Sequence, residues 1–199
     1  SVAGDRQELR QALLEAELPL HHDARPAEVV PRPGAAAARV AVPALEAALD
    51  PSVAAVLLEP VQGEGGVNPA STEYFAGVRR LCDERGVLFM VDEVQTGLGR
   101  TGRWFGFQHL GVRPDVITMA KALGNGVPIG ACLAKGAAAE VFKPGSHGST
   151  FGGNPFACAA ALTTLDIIEQ DKLLDNAVRI GDAIRAGLTE ALAGIKGVV

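Results

Sequence analysis

The sequence predicts an α/β fold in which a mostly parallel sheet is flanked by helices. Three apolar runs have the length of buried strands, at residues 53–58, Val87–Val91 and Val116–Met119. Segments with helical periodicity accompany them along the chain. Buried strands that alternate with helices indicate parallel pairing, because parallel neighbours need a crossover connection.

The first elements follow one another from Pro43 onward. Pro43 is expected to open a short helix before the strand at 53–58. Ser71 or Thr72 can cap the next helix, and Gly86 can end it. The apolar positions of that helix lie on one predicted face: Phe75, Val78 and Leu81 or Cys82.

The second half predicts a further strand and two helices. The segment GNGVPIGACLA is typical of a turn followed by a strand. Asn154–Glu169 is predicted to be helical, and another helix is expected from about Leu173, with Ala177, Ile180, Ile184 and Leu188 on its apolar face. We expect residues 1–172 to form part of a large domain and residues 173–199 to begin a smaller C-terminal domain.

Composition limits the classes of function. The chain has 199 residues, 48% of them hydrophobic, and a net charge of −5, so it is expected to be globular and has no basic patch for nucleic acid. No apolar stretch is long enough to span a membrane, and the first ten residues lack a signal-peptide core. The three cysteines are expected to be small core residues that stay reduced in the cytoplasm. Because the chain starts at Ser1 and ends on an apolar GVV, we expect it to be a fragment.

Polar side chains stand at the ends of the three predicted strands. Glu59, Asp92 and Lys121 each follow an apolar run, and ligands of parallel sheets bind beyond the carboxyl ends of the strands. A carboxylate and an amine at one edge can hold a pyridoxal ring, because the amine condenses with its aldehyde and the carboxylate keeps the ring nitrogen protonated. Taken alone, each residue is more typical of a solvated loop.

Four segments occur in an order that matches a known family: LEPVQGEGGV, VDEVQTGLGRTG, PDVITMAKALGNGVPIGA and HGSTFGGNP. Together they resemble the fold-type I, class III aminotransferases, which use pyridoxal phosphate. The resemblance runs from about Val53 to Val199, whereas residues 1–50 match only loosely. It implies the large cofactor-binding domain of that family.

The resemblance also implies roles for the residues at the strand ends. Lys121 is similar to the lysine that forms an imine with the cofactor and then moves a proton on the substrate, and burial after an apolar run is expected to keep its amine neutral. Asp92 resembles the partner of the ring nitrogen. Val94 resembles the residue packed on the ring face, and Gln95 the one that contacts the ring hydroxyl. The alternative for DEVQ is a strand-end turn.

Three further residues complete the implied site. Glu59 resembles a glutamate that pairs with a substrate-binding arginine. Thr150, with Ser149 as a weaker candidate, is similar to the residue that reaches the cofactor phosphate of a neighbouring subunit, which implies a homodimer; the alternative is a helix-entry turn. The family's phosphate loop, stacking aromatic residue and substrate arginines are expected before Ser1 or after Val199, so the chain alone is not expected to be complete.

Within the family, the segments from GNGVPIGACLA to HGSTFGGNPFACAAAL favour the acetylornithine branch. This resemblance implies amino transfer between N2-acetyl-L-ornithine and 2-oxoglutarate in arginine biosynthesis, giving N-acetyl-L-glutamate 5-semialdehyde and L-glutamate. Ornithine, 4-aminobutyrate and succinyl-diaminopimelate transaminases share these motifs, as do aminomutases. A non-catalytic fragment is the alternative from another class.

Overall fold

The computed structural model describes residues 41–195. Residues 1–40, which belong to the loosely matched stretch 1–50, and the terminal residues 196–199 lie outside the described residues. The described part contains six strands: β1 Ala55–Leu58, β2 Val61–Gln62, β3 Asn68–Pro69, β4 Leu88–Asp92, β5 Val116–Met119 and β6 Ala131–Ala134. Its α-helices are α1 Ala41–Ala48, α2 Thr72–Arg85, α3 Pro155–Gln170 and α4 Leu173–Leu192.

The central sheet confirms the predicted α/β class. Its strand order is β1-β4-β5-β6. The pairs β1–β4 and β4–β5 are parallel, and only β6 runs antiparallel at the edge. The short strands β2 and β3 form a separate antiparallel ribbon. Three strands therefore end at one edge of the sheet.

Helix α2 covers this sheet as the sequence predicts. The Ser71 side chain caps it by accepting a hydrogen bond from the Tyr74 N–H, and Gly86 ends it with a left-handed backbone, φ 66°. The inward face of α2 is buried in the core, with Phe75 packed edge-to-face on Phe89 of β4. This packing holds α2 against β4.

The bounds of two strands, β1 and β4, differ from the predicted ones. Strand β1 begins at Ala55, two residues later than expected, and β4 is shifted by one residue, so that it ends at Asp92. The shift follows from pairing, because Asp92 is in register with Thr118 and the next N–H, that of Glu93, still donates to the Thr118 carbonyl. Asp92 is thus held within the sheet.

The last two helices have the predicted extents but differ in burial. The inward residues of α3 are buried, whereas α4 has no buried residue. Its expected apolar face, including Ile180, Ile184 and Leu188, is exposed in the described part of the chain. The break between the helices falls at Asp171-Lys172, and the domain boundary there remains a prediction.

The three cysteines differ in burial. Cys82 and Cys158 are buried, but Cys132 is exposed, because it lies on the edge strand β6. The prediction of a core position for Cys132 was wrong.

Among residues 41–195, no helix combines the length and apolar character needed to cross a membrane.

Candidate functional site

The carboxyl edge of the three parallel strands brings the predicted site residues together. Glu59 directly follows β1, Asp92 ends β4, and Lys121 lies two residues beyond β5. The register pairs Leu58 with Val91 and Asp92 with Thr118, so the three strand ends lie side by side. A single sheet edge therefore presents two carboxylates and an amine.

The turn after β4 orients Asp92. The Asp92 Oδ1 atom accepts a hydrogen bond of 2.8 Å from the Val94 N–H. This local bond holds the half-buried carboxylate against its own turn, as short acidic side chains commonly do. Val94 is half-buried and Gln95 is exposed. The predicted strand-end turn is thus present, and it carries all three residues toward the same edge.

Lys121 meets this turn through its side chain. Its Nζ atom donates to Gln95 Oε1 over 2.6 Å. The backbone of Lys121 is left-handed, with φ 45°. Such a conformation costs a non-glycine residue of order 1–3 kcal/mol and is concentrated at functional sites. The lysine is therefore held in a strained position that directs its amine at Gln95.

One expectation for Lys121 was wrong. The sequence predicted a buried amine, but the side chain is exposed in the described chain. The reason is its place just beyond the strand, at the start of a short 3₁₀ turn, Lys121–Leu123, in which only Leu123 enters the core. The apolar run before Lys121 buries the strand and not the residue that follows it.

The loop after β1 closes the site on the other side. Glu59 Oε2 accepts a 3.0 Å hydrogen bond from the Gly63 N–H. A side chain at Gly63 would place its Cβ 3.3 Å from Gln95 Cγ, so the loop passes close to the turn after β4. Glu59, Gln95 and Lys121 thus belong to one continuous set of contacts.

The neighbouring carboxylate of Glu93 was missed by the sequence analysis. Glu93 is only 2% exposed. Its Oε2 accepts from Thr96 Oγ1 and the Gly106 N–H, and its Oε1 accepts from the Phe107 N–H. Alternation along β4 could have identified it, because Phe89, Val91 and Glu93 share the buried face.

The side chains of Ser149 and Thr150 make no hydrogen bond to this cluster among the described residues. Ser149 Oγ accepts from the Gly152 N–H within its own loop. Thr150 is exposed, and neither side chain hydrogen-bonds to Glu59, Asp92, Gln95 or Lys121 in residues 41–195. The structure thus contains the helix-entry turn that was the alternative for this pair, and Asn154 caps the helix that follows.

The chemistry available at the edge follows from these groups. An exposed primary amine can act as a nucleophile or carry a proton, and a fixed carboxylate can stabilise a cationic ring nitrogen. No group of three or more His, Cys, Asp or Glu residues suited to a metal ion occurs in the described ranges. The site is therefore suited to a planar cofactor with an electrophilic carbon and a basic ring nitrogen.

Comparison with known proteins agrees with this chemistry. The sequence profile described as "Aminotransferase class-III" matches residues 3–198. The acetylornithine aminotransferase of Nitrosomonas europaea is 67% identical over 136 residues, which cover 68% of this chain and 35% of that protein. The chain thus spans about a third of the length of this curated relative.

Solved structures give the same result. A structure of the ornithine aminotransferase from Toxoplasma gondii, described with partial occupancy of pyridoxal phosphate at its active site, superposes with a TM-score of 0.73 at 48% identity, covering 77% of this chain and 37% of that one. The ornithine δ-aminotransferase of Plasmodium falciparum superposes with a TM-score of 0.74 at 40% identity, covering 98% of this chain and 52% of that one. The fold and the motifs are therefore shared.

Proposed function

Since the chain belongs to the class III aminotransferases, we propose that it binds pyridoxal phosphate and transfers an amino group from N2-acetyl-L-ornithine to 2-oxoglutarate. The products are N-acetyl-L-glutamate 5-semialdehyde and L-glutamate, in the cytoplasmic synthesis of arginine. The observation that carries the proposal is the Lys121–Gln95 contact beside Asp92 at one sheet edge. The 67% identity to an acetylornithine aminotransferase supports the choice of substrate.

The residues at the edge fit the cofactor. When bound, pyridoxal phosphate supplies an aldehyde that condenses with amines and a ring that accepts electrons. Lys121 offers the only lysine amine within the described cluster, and its strained backbone indicates a position kept for function. Asp92 offers the carboxylate, and its bond to the Val94 N–H fixes one oxygen. The other oxygen is available to a protonated ring nitrogen.

Lys121 has two tasks in this proposal. Its amine would hold the cofactor through the aldehyde, and once the substrate amine has taken that place, the free Nζ would carry the proton that leaves C5 of N2-acetyl-L-ornithine, the carbon that bears the transferred amino group, to the cofactor. Gln95 accepts a hydrogen bond from this amine at 2.6 Å and would contact the ring hydroxyl of a bound cofactor. Val94 would pack on the face of the ring.

Glu59 is proposed to let one site accept two different substrates. A transaminase must accept a long amino acid and then a dicarboxylic oxo acid at the same place. Glu59 is held by the Gly63 N–H and is half-buried, so its charge is fixed near the cofactor edge. We propose that it neutralises an arginine for the first substrate and releases that arginine for the second.

The functional unit is proposed to be a homodimer with shared sites. Thr150 makes no hydrogen bond to the cluster among residues 41–195, which is expected if it serves the cofactor phosphate of the partner, with Ser149 shaping the loop. The same segment exposes large apolar side chains: Val141, Phe142, Phe151 and Phe156. Exposed apolar patches mark interaction surfaces, so the segment suits a subunit interface.

An amino-transfer assay tests the substrate. Full-length protein with pyridoxal phosphate is given 2-oxoglutarate and, separately, N2-acetyl-L-ornithine, L-ornithine or 4-aminobutyrate, and glutamate is measured. We expect the highest kcat/KM with N2-acetyl-L-ornithine and no glutamate with Lys121→Ala, whereas the exposed control Lys172→Arg, outside the segment around Thr150, should match the unsubstituted protein. Faster reaction with another donor would change the substrate, and isomerisation without glutamate would indicate an aminomutase.

A further inference from the structure

A buried carboxylate lies next to the proposed cofactor partner. Glu93 follows Asp92, but its side chain enters the core and is 2% exposed. Three donors meet it: Thr96 Oγ1 at 2.6 Å, the Gly106 N–H at 2.8 Å and the Phe107 N–H at 2.8 Å. The side chain therefore joins the turn after β4 to a loop more than ten residues further along the chain.

The main chain of Glu93 is fixed as well. Its N–H donates to the Thr118 carbonyl of β5, and its carbonyl accepts from the Gly97 N–H. The turn of residues 92–95 is thus held by the sheet at its start, by Gly97 at its end and by the 106–107 backbone on its inner side. This turn carries Asp92, Val94 and Gln95.

The surroundings are fitted closely to this arrangement. A Cβ at Gly97 would lie 2.8 Å from the Glu93 carbonyl oxygen. A Cβ at Gly106 would lie 2.9 Å from Thr96 Cβ and 3.2 Å from Pro60 Cβ. Because Pro60 follows Glu59, the connected backbone reaches the other proposed site carboxylate. The absence of a side chain at Gly97 and Gly106 thus allows this close approach.

The electrostatics make this carboxylate unusual. Burial raises the pKa of the Glu93 side chain, and the hydrogen bonds from Thr96, Phe107 and Gly106 oppose that rise. Burying a carboxylate is unfavourable unless donors compensate for the lost water. An apolar residue of similar size would fill the space without that penalty but could not hold two backbone N–H groups.

We propose that Glu93 is a positioning residue of the cofactor site, which fixes the turn bearing Asp92, Val94 and Gln95 through its bonds to Thr96, Gly106 and Phe107. This role rests on the proposed function. Glu93 faces away from the edge, so it acts through its neighbours. When the three bonds are weakened, the Asp92 carboxylate and the Gln95 amide lose their alignment with the ring, and the protein as a whole stays folded.

A role in stability alone makes a different prediction. Any buried hydrogen-bonded carboxylate contributes to folding, so loss of stability does not identify a positioning residue. Asp115 provides the matched control, because it accepts from the Arg79 guanidinium at 2.7 Å and the Phe89 N–H at 2.9 Å at the opposite end of β5. Its substitution should lower stability without changing the bound cofactor.

The test compares Glu93→Gln, Thr96→Val and Asp115→Asn in the full-length protein, because the phosphate loop is expected outside this chain. For each, the Kd of pyridoxal phosphate, the pH midpoint of its visible absorbance and the unfolding curve are measured. We expect Glu93→Gln to raise the Kd by about tenfold or more, because small misplacements of site groups have large effects, and to shift the absorbance midpoint. Thr96→Val removes one donor only, so it should act in the same direction and less strongly.

The controls separate the possible failures. Asp115→Asn is expected to leave the Kd and the absorbance midpoint unchanged while lowering stability. If Glu93→Gln does not fold, Thr96→Val carries the same test. Equal Kd and midpoint in the unsubstituted, Glu93→Gln and Thr96→Val proteins would overturn the role of Glu93 alone, whereas no binding by the unsubstituted protein would overturn the proposed function as well.

Discussion

Asp92 and Glu93 are neighbouring carboxylates in opposite surroundings. Strand geometry turns successive side chains to opposite faces, so Asp92 lies half-buried at the edge while Glu93 enters the core. Asp92 accepts one local N–H, and Glu93 accepts three donors from a distant loop and its own turn. At the residue scale, one carboxylate lies half-buried at the edge, where the proposed ligand would bind, and the other is the proposed positioning residue.

Asp92→Asn separates the charge of Asp92 from its shape. Asparagine keeps an oxygen for the Val94 N–H, so the turn should persist, but the charge opposite the ring nitrogen is lost. We expect kcat/KM to fall on the order of a hundredfold, as for loss of a preorganised electrostatic contact. Steady-state kinetics measure the effect. Asp182→Asn, at an exposed Arg185 pair, should be neutral, and equal activity of both variants would contradict the assigned role.

The buried Glu93 gives a pH dependence of defined sign. Its pKa is raised by burial from a usual value of 4.5, so the folded state holds the proton at higher pH than the unfolded state. The stability that it contributes is fully present below about pH 4.5 and is lost as the pH rises through the raised pKa. The free energy of unfolding in urea, taken as the unsubstituted protein minus Glu93→Gln, should therefore fall with rising pH. A rise in this difference would refute the argument.

The sequence predicted Glu59, Asp92 and Lys121 at one edge because residue types at the ends of apolar runs are visible without coordinates, and the family resemblance added Gln95. It did not predict the exposure of Lys121, which depends on the direction of the 3₁₀ turn after β5. It also overlooked Glu93, although Phe89 and Val91 already marked the buried face. The distant donors at 106–107 could not have been found, because no pattern links them to β4.

At the element scale, the turn after β4 depends on a glycine. The Gly97 N–H donates to the Glu93 carbonyl over 2.8 Å, and the same oxygen would contact any Cβ at position 97. A tight turn at Gly97 therefore helps to place the proposed site residues at the strand end. Element boundaries in the sequence were correct to within one or two residues, since β4 ends at Asp92 through pairing with β5.

Gly97→Ala tests the closeness of this turn. The added Cβ would lie 2.8 Å from backbone oxygen, and such overpacking costs about 1–3 kcal/mol of unfolding free energy. Gly181→Ala in α4 is the matched control, because nothing lies within 4 Å of its added Cβ. Urea unfolding should show loss for the first and no loss for the second, and a neutral Gly97→Ala would contradict the described turn.

At the scale of the whole molecule, the described chain exposes surfaces that its own core does not cover. Helix α4 has no buried residue, and the segment around Thr150 presents exposed phenylalanines. The α/β class followed from alternating strands and helices, but the exposed faces could not be predicted, since periodicity shows which side is apolar and not what covers it. The proposed site shared between two subunits would account for the exposure of the Thr150 segment.

Mixed dimers test this sharing. Lys121→Ala and Thr150→Ala are each expected to impair the site to which they contribute. If Thr150 serves the partner's site, a mixed dimer has one site with both substitutions and one intact site, so random mixing should restore about a quarter of the unsubstituted activity. Tagged, separated mixed dimers should have about half of the unsubstituted activity, since one of their two sites is intact. No restoration would place Thr150 in its own subunit's site, and an unimpaired Thr150→Ala homodimer would place it outside both.

The most direct test of the central claim is the position of the covalently held cofactor. The protein loaded with pyridoxal phosphate is reduced with borohydride, digested and mapped by mass spectrometry. We predict the pyridoxyl group on the peptide containing Lys121 in the segment MAKALG, and its disappearance in Lys121→Ala but not in Lys143→Ala. A label on another lysine, or none, would contradict the account.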